Sequence, residues 1–495
     1  MKANMDETMV IDEAVLARSV ELCRARGVVI PTFAQLDDPA LLPPAVLARL
    51  GQVGLWEVDP VNLFRIGWRN QRTAHGGLFN DGNWIEFPPE LTGVEARIVG
   101  LVGKWFPTGA HKVGAGFGCL VPRLVTGAFD PTTQKAVWPS TGNFCRGGAF
   151  DCALLGCEAI GILPEGMSRE RFEWLEEIGA EVIRTRGCES NVKEIYDACW
   201  EIKRTRPDCV VFNQFEEFGN SIWHYHVTAK ALERVFRQVA GPRGRLAAFV
   251  SATGSAGTIA AGDYLKTVHP GLRIVASEAL QCPTLLSSGY GDHAIEGIGD
   301  KHVPWIHNVR NTDLVVAVDD RRCLSLMRLF NEPAGRDVLA RQGVPAELIE
   351  SLDQLGISSA CNLVASIKSA RYLGLGPEDV VMTVLTDSME LYGSRLEELR
   401  EAQGEFTLED AWRHYGRDLE AISTDHLKEL TLSDRRALHN LKYFTWVEQQ
   451  QRSVEELEQL WDPEFWTATY AQVKRWDEQI LAFNERLRQP ARSSP

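Results

Sequence analysis

The feature that most constrains this chain is a regular alternation, from about residue 95 to 390, of short β-branched runs with amphipathic helical patterns. KAVWP, AIGIL, EVIRT, CVVFN, LAAFV, RIVAS, LVVAV and VVMTVL are the strand candidates. Between them lie helices such as RERFEWLEEIG, where Phe172, Leu175 and Ile178 share a face, and NVKEIYDACWEIKR, where Val192, Ile195, Cys199 and Ile202 do the same. Strands that alternate with crossover helices must run parallel, so the expected class is α/β with doubly wound parallel sheets.

At 495 residues the chain exceeds the size of one hydrophobic core, so it should divide. The boundaries read as an irregular extension over 1–90, with a Pro-rich DDPALLPPAV; a core over 91–400; and an appended unit over 401–495. RIVGLV reads as an edge strand. In the last unit EDAWRHYGRDLEAI, LSDRRALHNLKYFTWVEQQ and FWTATYAQVKRWDEQILAFNERL are amphipathic, Trp-rich and without strand signals, which predicts a separately stabilised helical element. A formal charge of −15 argues against a nucleic-acid binder. Eleven dispersed cysteines with no C-x-x-C pair argue against a disulfide framework or structural zinc, and hence for a reducing, cytoplasmic setting without a metal. No apolar run approaches the ~20 residues of a membrane span, and the acidic amino terminus does not read as a signal peptide.

Four Gly, Ser and Thr-rich segments fall at strand ends, where open parallel sheets bind ligands. In FPTGAHKVGAGFG, Lys112 follows a tight turn and precedes a small-residue run; a lysine is equally the commonest solvated surface residue. PSTGNFCRGGAF places hydroxyls and an asparagine where a helix should begin, a site suited to a carboxylate or phosphate, although one hydroxyl alone would be an N-cap. SATGSAGT lacks the lysine of a P-loop and the spacing of a dinucleotide fingerprint, and keeps a nest of backbone donors for one phosphate. In LTDSMELYGSR, Ser388 is either an N-cap or a donor to a ligand.

Read in order, these segments resemble the cysteine synthase-like branch of the fold-type II pyridoxal phosphate (PLP) enzymes, the tryptophan synthase beta superfamily, over about residues 90–395. PTGAHK is similar to the cofactor-lysine motif, and STGN to the asparagine loop that grips the substrate carboxylate. MSRERFEWLEEIGAEVIRT, VVFNQFE, WHYHVT, IEGIG, GISSA and TDSMELYGS stand in the family's order and near its spacing. The resemblance implies two α/β domains, the smaller covering about 118–225, and a homodimer. It implies that Lys112 carries PLP as a Schiff base and is the acid and base at Cα. Asn143 would meet the phenolic oxygen, Gly254, Ser255, Ala256, Gly257 and Thr258 the phosphate with His111 beside them, and Ser388 the pyridine nitrogen. Ser140, Thr141, Gly142, Phe144 and Gln214 would surround the substrate.

A neutral serine cannot hold a proton on the pyridine as an aspartate would. The implied chemistry is therefore prompt β-elimination or β-replacement on a small β-substituted amino acid. The alternatives are an ammonia-lyase of the dehydratase or diaminopropionate type and, from another class, a non-catalytic PLP-binding scaffold with a partner-binding tail. Phe144 and Cys145 stand where the family carries Thr and Gly, which puts O-acetylserine in doubt as substrate. Arg146 reads as an outward-facing helix arginine rather than an anion contact, and Cys145 as a small buried residue rather than a reactive thiol.

Overall fold

In the computed structural model, which describes residues 12–140 and 142–489, the strands assemble into two sheets. β1 (Trp84–Phe87), β2 (Arg97–Val102), β7 (Arg245–Ala252), β8 (Arg273–Ala279), β9 (Leu314–Val318), β10 (Asp379–Leu385) and β11 (Leu427–Glu429) form the larger, in the order β1-β2-β10-β7-β8-β9-β11. β3 (Lys135–Pro139), β4 (Glu158–Pro164), β5 (Glu181–Thr185) and β6 (Cys209–Val211) form the smaller, in the order β5-β4-β3-β6. The smaller sheet is parallel throughout, and the larger is parallel from β2 to β9. β7, β9 and β10 are covered on both faces and buried along nearly their whole length, which is why they read as unbroken apolar runs rather than alternating ones.

Two expectations are corrected. RIVGLV is an interior strand, because β1, from the segment read as an irregular extension, pairs antiparallel with it and takes the edge. The tail is not strandless: β11 closes the other edge of the sheet by pairing antiparallel with β9. Three residues, LKE, are too few for periodicity to register.

The helix Lys112–Thr126 explains the small-residue run after the lysine. A β-carbon at Gly118 would lie 2.3 Å from the carbonyl oxygen of Gly219, so the helix Phe218–Trp223 approaches only because that position has no side chain. The helix Asn143–Leu155 packs on the lysine helix as well, where a β-carbon at Gly116 would meet the Asp151 carboxylate and one at Gly147 the backbone of Val113. No helix among the described residues is long and apolar enough to cross a membrane.

Candidate active site

The chain leaves β2 through Gly103–Trp105 and turns at Gly109, whose φ is +71°. Phe106 anchors this turn edge-on against Trp68 at 4.9 Å. Lys112 then opens its helix beside the carboxyl end of β10, where the His111 N–H donates to the Thr386 carbonyl. Its Nζ donates to Ser255 Oγ at 2.9 Å. Desolvation pushes this amine down to about 8, and the nearby Asp300 acts in the opposite direction.

Ser255 belongs to the turn between β7 and the helix Ala260–Val268. Its hydroxyl also accepts from Asn220 Nδ2 at 3.0 Å, and that amide nitrogen donates to the Gln214 carbonyl at 3.0 Å. Ala256 has φ +60°, so this turn has the alternating handedness of a backbone nest that aims N–H groups into one concavity. A β-carbon at Gly257 would lie 2.0 Å from Asn220 Oδ1. Lys112, Gly254, Ser255, Ala256, Gly257 and Thr258 line one cavity, closed by residues of β10 and by Gly297 and Ile298. His111 Nε2 lies 3.2 Å from Thr258 Oγ1. Burial pushes His111 down to about 3, with Lys112 adding to the effect, so its ring is neutral.

A second group of polar residues lies at the carboxyl end of β3 and the start of the following helix. Ser140 is buried at the end of β3, and its Oγ accepts from the Gly142 N–H at 3.2 Å. Thr141 lies outside the described residues. Asn143 Nδ2 donates to Asp387 Oδ2 at 2.7 Å; one N–H of this amide remains for a ligand, and its Oδ1 is buried without a partner. Ser388 is buried at the carboxyl end of β10, beside Asp387, and Gln214 is buried near Asn220. Phe144, expected at the substrate, is 1% exposed, with its ring edge-on to Trp138 at 5.3 Å in the hydrophobic core. Core packing thus accounts for its bulk.

Several site residues were not anticipated. Arg171 lies in a fully buried chain: Nε is 3.0 Å from Glu296, Nη2 donates to Tyr392 OH at 2.8 Å, and Tyr392 donates to Asp387 at 2.8 Å. Burial works against the arginine's charge, but Tyr392, Glu296 and Asp387 overcome it and raise its pKa. This chain links the MSRER segment of the smaller lobe to TDSMELY of the larger, and Ser394 adds contacts to Glu170 at 2.6 and 2.7 Å. Asp300 is buried with Oδ2 unpartnered, and burial raises its carboxyl well above the usual range. Trp68, from the amino-terminal segment, stacks on His111 at 5.4 Å. Arg146 is not outward-facing: it is 4% exposed and covers the Trp174 ring at 4.7 Å. Cys145 is buried, its thiol donating to the Trp138 carbonyl, and burial raises it far from a reactive thiolate.

The residues present fit PLP. The nest at 254–258 suits a phosphate and the desolvated lysine in the same cavity suits an aldehyde, while Asn220, bonded to Ser255, and Asn143, bonded to Asp387, each keep an unsatisfied buried Oδ1. A two-lobed α/β fold with a desolvated lysine facing such a turn at the carboxyl ends of parallel strands defines a fold-type II PLP enzyme.

Comparison with known proteins carries the assignment further. The family described as "Pyridoxal-phosphate dependent enzyme" matches residues 106–344. The chain is 30% identical over 259 residues to a cysteine synthase of Staphylococcus aureus (strain N315), covering 52% of this chain and 74% of that protein. It is 29% identical over 264 residues to cysteine synthase B of Campylobacter jejuni, covering 53% and 78%. Among solved structures, the O-acetylserine dependent cystathionine beta-synthase of Helicobacter pylori shares the fold with a TM-score of 0.54 and 23% identity, over 63% of this chain and 94% of that one. The chain belongs to the pyridoxal-phosphate dependent enzyme family, in its cysteine synthase-like branch.

Proposed function

We propose that this enzyme eliminates or replaces the β-substituent of a small amino acid. The observation that carries the reading is the desolvated Lys112 amine, 2.9 Å from Ser255 Oγ in the nest. Bound there, PLP supplies the carbonyl that Lys112 condenses with and the electron sink that acidifies the substrate Cα–H. Ser140, Gly142 and Gln214 hold the substrate carboxylate, and residues 254–258 with His111 hold the phosphate. Lys112 would take the Cα proton at Nζ, the Cα–H electron pair would become the Cα=Cβ bond, and the Cβ–X bond would break with its electron pair leaving on X. Ser388 offers the pyridine nitrogen a hydroxyl and no charge, which favours immediate loss of X over storage of a carbanion.

A homodimer is proposed from the family resemblance, and light scattering tests it. A reducing, cytoplasmic setting is proposed because all eleven cysteines are unpaired.

The activity is tested by incubating the PLP-loaded protein with L-serine, O-acetylserine, O-phosphoserine, cysteine and 2,3-diaminopropionate, with and without a thiol. Pyruvate, ammonia and new amino acids are measured. Replacement products identify a synthase, keto acid with ammonia a lyase. Exchange at Cα with no β-substituent ever lost would overturn the proposal.

A further inference from the structure

Arg146 lies three residues after Asn143 on the helix Asn143–Leu155, so both side chains leave the same face. Its Nε and Nη1 are buried without a hydrogen-bond partner. Trp174 satisfies one face of the guanidinium, but a ring below the plane leaves the in-plane N–H groups unused. Buried cations are retained when something pairs with them.

The neighbouring acids are largely committed to other partners, and only Asp387 keeps a buried carboxylate oxygen, Oδ1, without a hydrogen-bond partner. Glu296 is paired with Arg171 at 3.0 Å and with Arg395 at 2.6 Å. Asp387 Oδ2 accepts from both Asn143 and Tyr392 and lies 3.8 Å from Arg171. Glu390 is exposed and paired with Lys104 at 2.8 Å. Arg171 adds a second positive charge: its Nη1 lies 2.1 Å from where a β-carbon of Gly142 would stand, directly against the carboxylate loop. Burial pushes Arg146 down to about 10 with Arg171 reinforcing it, while Asp387, Tyr392 and Glu390 offset part of that effect, which places all of them within its field.

We infer that Arg146 receives an anionic group on the β-substituent of the substrate, so that the preferred donor is an amino acid bearing a phosphate or carboxylate rather than a neutral ester. The inference rests on the β-substitution reading for what that donor does. The guanidinium fork matches two oxygens of such a group, and Ser140 and Gly142 remain available for the α-carboxylate.

Binding can be read without turnover by titrating the PLP-loaded protein calorimetrically with L-2-amino-4-phosphonobutyrate, L-glutamate and L-norvaline, none of which has a leaving group at Cβ. At least one of the two anionic ligands should bind about 10-fold or more tightly than norvaline, a preference of the size expected for one charge-assisted pair. Whichever does so identifies phosphate or carboxylate as the group. Arg146→Gln should bring the affinities within about 2-fold of one another, and Arg146→Lys, which keeps the charge and loses the fork, should reduce the preference several-fold. Circular dichroism checks folding; if the Gln variant does not fold, the wild-type ranking and the Lys variant decide. No anion preference in the wild type, or a preference unchanged in a folded variant, overturns the inference. An Arg146-dependent preference with no β-substituent released from any of the amino acids of the activity test would instead sink the β-substitution reading alone.

Discussion

The Lys112 amine shows most directly what burial does to a single group. An ordinary lysine is protonated up to about pH 10.4, but desolvation brings this one to about 8 against the pull of Asp300. Only the neutral amine condenses with an aldehyde, and it is the form that dominates above the pKa. Loading of the PLP-free protein should therefore accelerate as pH rises through about 8 and level off above it, followed by the absorbance of bound cofactor. Borohydride reduction and peptide mapping should place the pyridoxyl label on Lys112, and a loading midpoint near 10 would contradict the desolvated site. His111, which burial pushes down to about 3 and which is therefore neutral throughout this range, contributes no limb. At this scale the motifs made Lys112, Asn143 and Gly254–Thr258 legible, because a glycine-flanked lysine and a donor-rich turn are local patterns. Arg146 was not legible: spacing along one helix does not reveal that it is buried under Trp174.

Among the elements, the helix Asn143–Leu155 and β3 act as a unit. Trp138 of β3 meets Phe144 edge-on at 5.3 Å and stacks on Phe212 at 4.7 Å, so the first turn of the helix is pinned to the sheet while Asn143 projects towards Asp387. Phe144→Ala should cost about 3–5 kcal/mol, as for other aromatic truncations in close-packed cores, measured by urea unfolding of the protein without PLP. A substrate-lining role would predict the opposite pattern, with a changed KM and stability preserved. β7, β9 and β10 were read well from sequence because doubly covered parallel strands are uninterrupted apolar runs. β1 and β11 escaped because they are short edge strands, and the partner of β11 is also distant in sequence.

In the whole molecule the carboxy-terminal unit is joined to the catalytic core by more than its connecting chain. Lys442 is buried and donates to the carbonyls of Trp305 and His307 at 2.9 and 2.7 Å, and Trp446 donates to that of Val303 at 2.9 Å. These contacts brace the segment that follows Gly297 and Ile298, which line the cavity of the lysine. The unit also reaches the amino-terminal segment, where Asn484 exchanges hydrogen bonds with the backbone of Ile30 at 2.7 and 3.1 Å. Truncation near Ala402 should yield a chain that is insoluble or cannot retain PLP, measured by solubility and cofactor absorbance after desalting; a soluble, PLP-loaded core would show the unit to be dispensable. The amphipathic helices of 401–495 could be read from their spacing, but not what they cover, since an apolar stripe specifies burial without naming its partner. The sequence by itself determined the alternating α/β class and the order of the Gly, Ser and Thr-rich turns at the strand ends, which rest on local periodicity and turn chemistry, and it singled out Lys112, proposed here as the cofactor lysine. Only the tertiary structure decided that Arg171, Asp387 and Tyr392 form one buried chain across the lobes, that Arg146 faces inward, and that the tail supplies a strand, because each depends on which distant surfaces meet and exclude water.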